Sequence, residues 1–348
     1  TGVNIIKNYI QGSSLNGLFV YNSGSTGDAM YDVNVYGNTF KDCYRGVRML
    51  RQPGTGDLVF GYSTYHDNFF EDNYHGISVE GNNLAPYIRG VKVDGNTFRN
   101  NGAAANFSYV YESSFTNNTI YGDTITTDFS SSLILAASTE IAIRGNEFFN
   151  VAGTALTAGS GNTYITTQNN TIAGSGKSGV IYNTEDGVID GNVFWNVNDS
   201  SSTSNLHGSY IGLNNHARIY TINNIMHDKG TPIPVRIVSS TGYTDPADST
   251  VIEQNYFRGL FSGANAYHLS GGYTMDSRYG RITLSAGTTT DVTIGHDYGA
   301  NFHILLTGNT AAEALGIAVS AYISNGFRIS HSTAVGTEEV YYEIKPGQ

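Results

Sequence analysis

Along most of the chain, apolar and polar residues alternate in short runs. Each run breaks at an asparagine, often preceded by glycine, and restarts on an aromatic or aliphatic residue. The clearest copy is Val91-Lys92-Val93-Asp94-Gly95-Asn96-Thr97-Phe98, and the figure returns as Val33 to Phe40, Ile141 to Phe148 and Gly187 to Phe194. Looser copies are Val3 to Ile10, Thr64 to Phe70, Ser113 to Ile120, Ile165 to Ile172, Ile219 to Met226 and Thr250 to Phe257. Alternation at period two predicts strands, and the Gly-Asn pair predicts a turn between them. The shared asparagines fall at Asn8, Asn38, Asn68, Asn96, Asn118, Asn146, Asn170, Asn192, Asn224 and Asn255, 22 to 32 residues apart. A drifting period of this size marks a stack of coils, each unable to bury its apolar side alone.

No sustained 3.6-residue stripe lies between the copies, which disfavours helical repeats, and leucine is too sparse for leucine-rich repeats. The only tryptophan, Trp195, excludes a Trp-Asp propeller signature. A parallel β-helix of about ten rungs remains. In it the turn asparagines would bond to one another from rung to rung as a buried ladder. Ten strands at about 4.8 Å make a rod of roughly 48 Å.

A second strand is expected about ten residues after each asparagine, as in Gly17–Tyr21, Gly46–Leu50, Gly76–Glu80, Gly179–Asn183, Tyr210–Asn214 and Pro234–Val238. Its outward column would carry Phe19, Tyr21, Arg48, Ser78, Glu80, Tyr111, Glu112, Asn183, Asn214 and Arg236. Long loops are expected at 51–63, 103–112, 121–132, 196–209 and 239–249, where they would rim a groove. Past Gly271-Gly272 the pattern changes to short strands between Gly, Asn and Thr turns, a small β-sandwich, with a helix as the alternative over Ala311 to Ala321. The expected domains are 1–272 and 273–348, and Thr1 falls inside a rung, so an N-terminal part is expected to be missing.

Composition narrows the function classes. Charged residues are 14%, the net charge is −11 and there is no basic block, which argues against nucleic acid and anionic membranes as partners. No apolar run approaches membrane-spanning length. The lone cysteine, Cys43, excludes an intrachain disulfide framework and reads as a buried small hydrophobe. No nucleotide, zinc or calcium signature occurs, so neither cofactor nor metal is expected.

What the chain does offer is carboxylates, arginines and aromatics on neighbouring rungs. Glycoside hydrolysis needs two carboxyls, one protonated and one ionised. A lyase acting on uronic acids needs a base and a cation facing the sugar carboxylate. The catalytic candidates are Glu80, Glu112, Glu185 and Asp72; Asp67, beside Asn68, and Asp186, before Gly187, read as turn residues. Arg48, Tyr21, Tyr111, Asn183, Asn214 and Arg236 are the substrate-binding candidates, with Arg51 as a further cation and Phe19 as a stacking surface.

The repeated Gly95-Asn96-Thr97-Phe98 figure resembles right-handed β-helix proteins of the pectate-lyase-like superfamily, and especially bacteriophage tailspikes. The Asp-Pro-His-Asp motif of mannuronan epimerases and the clustered calcium-binding aspartates of pectate lyases are absent. The tailspike resemblance implies a homotrimer on the phage tail that binds and cleaves a bacterial capsule or O-antigen, held by other tail or baseplate proteins. The alternatives are a secreted polysaccharide lyase or epimerase, and a non-catalytic fibre or adhesin whose coil is a spacer.

Overall fold

The computed structural model describes residues 2–22, 32–51, 60–82, 88–122, 131–197, 210–214, 217–227, 237–239, 250–253, 255–258, 267–269, 273–276, 279–293, 302–308, 312, 316–323, 326–334 and 338–346. The chain divides into two compact units, Thr1–Ser249 with Tyr256–Gly272, and Thr250–Asn255 with Tyr273–Gln348.

The first unit is a parallel β-helix. Each rung runs through a leading strand before the asparagine, a three-residue strand after it, and a longer strand such as Arg45–Arg51 or His75–Glu80. The three-residue strands, from Tyr9–Gln11 to Tyr256–Arg258, form a short sheet of ten parallel strands. The longer strands stack as a long sheet with Arg45, His75 and Ala103 in register, and the leading strands stack with Val35, Tyr65 and Val93 in register. Inward positions are filled one rung upon the next. Phe40, Phe70 and Phe98 are fully buried, with ring centroids 5.1 and 4.9 Å apart. Each such side chain contributes about 2–3 kcal/mol of burial that a single rung could not obtain alone.

The asparagine ladder is continuous from Asn8 to Asn224. Each side-chain amide donates to the Oδ1 of the next asparagine at 2.9 to 3.1 Å. The same Oδ1 accepts the preceding asparagine's backbone N–H at 2.8 to 3.0 Å. This satisfies donors and acceptors that the corner would otherwise bury unpaired. A second, shorter ladder, not anticipated, runs from Cys43 through Asn73 to Asn101 at the next corner.

The residue before each ladder asparagine lies in the left-handed region, and side chains alternate with glycine: Lys7, Gly37, Asp67, Gly95, Asn117, Gly145, Asn169, Gly191, Asn223. Packing explains part of the alternation. A Cβ on Gly145 or Gly191 would stand 2.7 Å from Asn117 or Asn169 Oδ1, whereas at Gly37 and Gly95 the nearest atom is 3.4 and 3.3 Å away. Crowding therefore enforces glycine at the first two, and the left-handed backbone favours it at all four. Gly76 has a different reason: its Cβ would meet the Phe98 ring and the Ala104 carbonyl oxygen at 2.6 Å. The glycine that introduces the long strand makes room for the ring of the rung above.

Two expectations on loops and strands change. Residues 103–108 are a strand, Ala103–Ser108, in the long sheet and not a loop. The chain turns after it at Tyr109, whose φ is 54°. Tyr111 and Glu112 therefore lie past that corner, and Asn106 and Ser108 occupy the long-sheet column on this rung. The other predicted long loops lie largely outside the described residues.

In the second unit, Tyr279–Thr283, Glu339–Pro346 and Phe302–Gly308 form one antiparallel sheet, and Gly287–Thr293, Gly326–Ala334 and Ala318–Ile323 form another. Leu284, Val292, Phe327, Ile329, Val340 and Tyr342 share its core. Ala318–Ile323 is strand, which removes the helical alternative for that part of the run.

Candidate functional site

The long sheet brings several candidates together. Register sets Phe19 beside Arg48, Arg48 beside Ser78 and Ser78 beside Asn106, while Tyr21, Leu50, Glu80 and Ser108 make the neighbouring column. Phe19 and Tyr21 are exposed, and their rings stack with centroids 5.3 Å apart. The Arg48 guanidinium carbon lies 5.7 Å from the Phe19 centroid, within cation–π range.

Arg48 donates to Glu80 Oε2 from Nη2 at 2.6 Å and from Nε at 3.1 Å. Ser78 Oγ donates to Oε1 at 2.7 Å, and Arg45 Nε stands 3.4 Å from the same oxygen. Burial pushes the Glu80 carboxyl up, but the bonds from Arg48 and Ser78 and the charges of Arg48 and Arg45 outweigh it, leaving it below the usual carboxylate range. Glu80 is thus an ionised group suited to act as nucleophile, base or electrostatic stabiliser, and ill suited to donate a proton.

Beside it, His75 is buried, and burial reinforced by the Arg45 charge lowers its imidazole to about 4 against the pull of Glu80. The histidine is neutral at neutral pH. Arg45 was not anticipated; aligning Arg45-Gly46-Val47-Arg48 on His75-Gly76-Ile77-Ser78 would have found it.

A pH dependence of stability follows. In the unfolded chain a histidine takes up its proton near pH 6.5, whereas folded His75 resists it until about 4. Stability is therefore expected to fall as pH drops from 6.5 towards 4, where the unfolded state binds more protons. Below that window, the contribution from the lowered Glu80 is lost as pH falls through its folded value. Urea unfolding of wild type and His75→Gln at pH 7, 5.5 and 4.5 checks this: the variant should show the shallower slope, and equal slopes would contradict the assignment.

The remaining candidates lie elsewhere. Asp72 is a turn residue with φ 56°, 3.5 Å from Lys41, while Glu71 pairs with Lys41 at 2.6 Å. Glu112 also lies in the left-handed region and faces Arg89 at 3.6 Å. Glu185 faces Arg218 at 3.3 Å, and Asp186, left-handed but within the strand Val180–Asp190 and not in a turn, holds the same guanidinium at 2.6 and 2.9 Å. Each of the four carboxylate candidates is thus drawn to a different cation or pair of cations.

Tyr111 pairs in register with Arg89 at the corner, and Asn183 follows the Tyr182–Leu213 register pair just as Asn214 does on the next rung. Arg236 lies outside the described residues. Arg51 is a correction: it is 2% exposed at an inward position, so it does not present its charge to the surface. Cys43 is a buried free thiol. Among the described residues no cluster of three or more His, Cys, Asp or Glu could hold a metal ion, and no helix is long and apolar enough to cross a membrane.

The family model described as "Right handed beta helix region" matches residues 1–194. Among solved structures, an alginate lyase from Paenibacillus sp. str. FPU-7 is similar with a TM-score of 0.53 at 13% identity, covering 78% of this chain and 92% of that one. This likeness shows a common fold. A DFA-IIIase mutant from Arthrobacter chlorophenolicus A6 has a TM-score of 0.45 at 12% identity, over 78% of this chain and 76% of that one. The receptor binding domain of the Siphovirus 9NA tailspike has a TM-score of 0.44 at 12% identity, over 89% of this chain and 63% of that one. No curated protein matches the sequence.

Proposed function

Because the chain belongs to the right-handed β-helix family, we propose that it is a tailspike-type receptor-binding protein that binds bacterial surface polysaccharide and cleaves it as an endo-acting glycoside hydrolase. The observation that carries this reading is the exposed Phe19–Tyr21 pair one rung from the Arg48–Glu80 ion pair. Stacked rings offer the apolar face of a sugar a flat surface, and an ionised carboxylate held by two arginines lies two rungs further along the Tyr21 column. Glu80 serves as nucleophile or base. Glu112, past the Tyr109 corner, is the candidate for the second carboxyl, and the separation of the two would set retention or inversion.

In this reading the solenoid, 1–272, carries the glycan, and 273–348 is a separate β-domain. The protein works as a homotrimer on a phage tail outside the host cell, held by other tail or baseplate proteins. The chemistry uses side chains alone.

A lyase is the second reading, favoured by one arrangement: His75 lies in register with Arg45, which stands 3.4 Å from Glu80. A neutral imidazole can take the sugar's C5 proton while an arginine faces the uronate. Product release from purified capsules and O-antigens separates the two. Hydrolysis predicts new reducing ends without ultraviolet absorbance from unsaturated sugars. Reducing ends with that absorbance favour the lyase, and binding without any product favours an adhesin.

A further inference from the structure

On the short sheet, away from the Glu80 group, one outward column reads Tyr121, Phe149, Ala173, Trp195, His227 on successive rungs. Tyr121 and Phe149 stack at 5.3 Å and 17°, and Trp195 and His227 at 3.5 Å and 3°. Ala173 interrupts what would otherwise be an unbroken aromatic stack. The Trp195–His227 separation is shorter than the strand spacing of about 4.8 Å, so the two rings lie closer than the strands that carry them.

We propose that the gap over Ala173, between Phe149 and Trp195, is a subsite for one neutral pyranose ring. The site deepens the polysaccharide reading above and rests on it. Its width selects the occupant. Two rungs put the flanking rings about 9.6 Å apart. A flat aromatic ring touching both faces at carbon contact distance fills only about 7–8 Å. A puckered saturated ring, with hydrogens projecting from both faces, takes up the difference.

Ala173 puts no ring on its own rung, and Asn150 Oδ1 packs over the neighbouring Gly174, 2.5 Å from where a Cβ there would stand. That amide and Thr171, half-buried on the neighbouring strand position, are placed for sugar hydroxyls. The charge follows from Glu147, exposed one rung before Thr171, and from the net charge of −11. Both disfavour a uronate in this slot.

Trp195 is the only tryptophan in the chain, so its fluorescence reports this slot alone. The probes are purified neutral and uronate-containing capsular polysaccharides, with binding scored independently by co-sedimentation. A neutral glycan is expected to reduce acrylamide quenching of Trp195 at least twofold, and uronate-containing glycans to leave it unchanged. Ala173→Phe, which completes the stack, should keep the wild-type circular dichroism while losing the protection. Ala173→Leu serves if the phenylalanine variant does not fold.

Co-sedimentation with neutral glycans but no protection of Trp195 overturns the slot and leaves the polysaccharide reading standing. Wild-type protection in a folded Ala173 variant also overturns the slot, as does protection that rises with protein concentration in the absence of glycan, since a second copy then fills it. No co-sedimentation with any glycan overturns both readings.

Discussion

Asn118→Leu is expected to destabilise the solenoid by about 2–4 kcal/mol although it keeps the number and branching of side-chain heavy atoms and touches no proposed site. Asn118 Oδ1 accepts from the Asn96 backbone N–H at 2.9 Å and from the Asn96 amide at 3.1 Å, while its own amide donates to Val93 O and Asn146 Oδ1, each at 3.0 Å. Leucine leaves the Asn96 N–H buried without this acceptor and removes a donor from two buried oxygens. An orphaned buried polar group costs about 1–3 kcal/mol. Rungs contact only their neighbours, so the loss should concentrate near this rung. Urea unfolding gives the magnitude and limited proteolysis the location. A loss below about 0.5 kcal/mol would mean that the ladder follows from the fold and does not support it.

Glu80→Gln is expected to lower polysaccharide cleavage by about 10²–10⁴-fold, the range for removing a group that handles charge or protons in the transition state. Glutamine keeps the shape and can still meet Ser78, but it leaves Arg48 and Arg45 facing a neutral amide. Binding measured by co-sedimentation should stay within threefold, because the Phe19–Tyr21 surface is untouched. That split between turnover and binding separates a catalytic role from a scaffolding one. If Glu80→Gln retains a tenth or more of the activity, the carboxylate only positions Arg48 and the chemistry lies elsewhere.

The site was partly legible in the sequence. Period-two alternation after Gly46 and Gly76 predicted the long strands, and their common offset from the asparagine put Arg48, Ser78 and Glu80 on one side. The same rule failed at Tyr111 and Glu112. Ala103–Ser108 lacks β-branched residues and reads poorly as a strand, so the rung was assigned one strand too late. The left-handed corner at Tyr109 was invisible, because tyrosine does not announce that conformation as glycine does. Asp67 was legible as a turn residue, since it occupies a position that other rungs mark with glycine, whereas Asp186 kept the left-handed conformation but lies within a strand.

The sequence by itself determined the solenoid, its buried asparagines and its stacked inward aromatics. Each rung packs only on its neighbours, so the physics of one repeat is copied along the chain and shows as periodicity. The tertiary structure alone decided which outward side chains meet. Outward positions carry no burial constraint, and the spacing between rungs drifts, so partners such as Arg48 and Glu80, 32 residues apart, are found only once register is known. The charge states of Glu80 and His75 belong to the same class, being set by groups on neighbouring rungs. So does the gap at Ala173, which exists only because four aromatic residues from other rungs align around it.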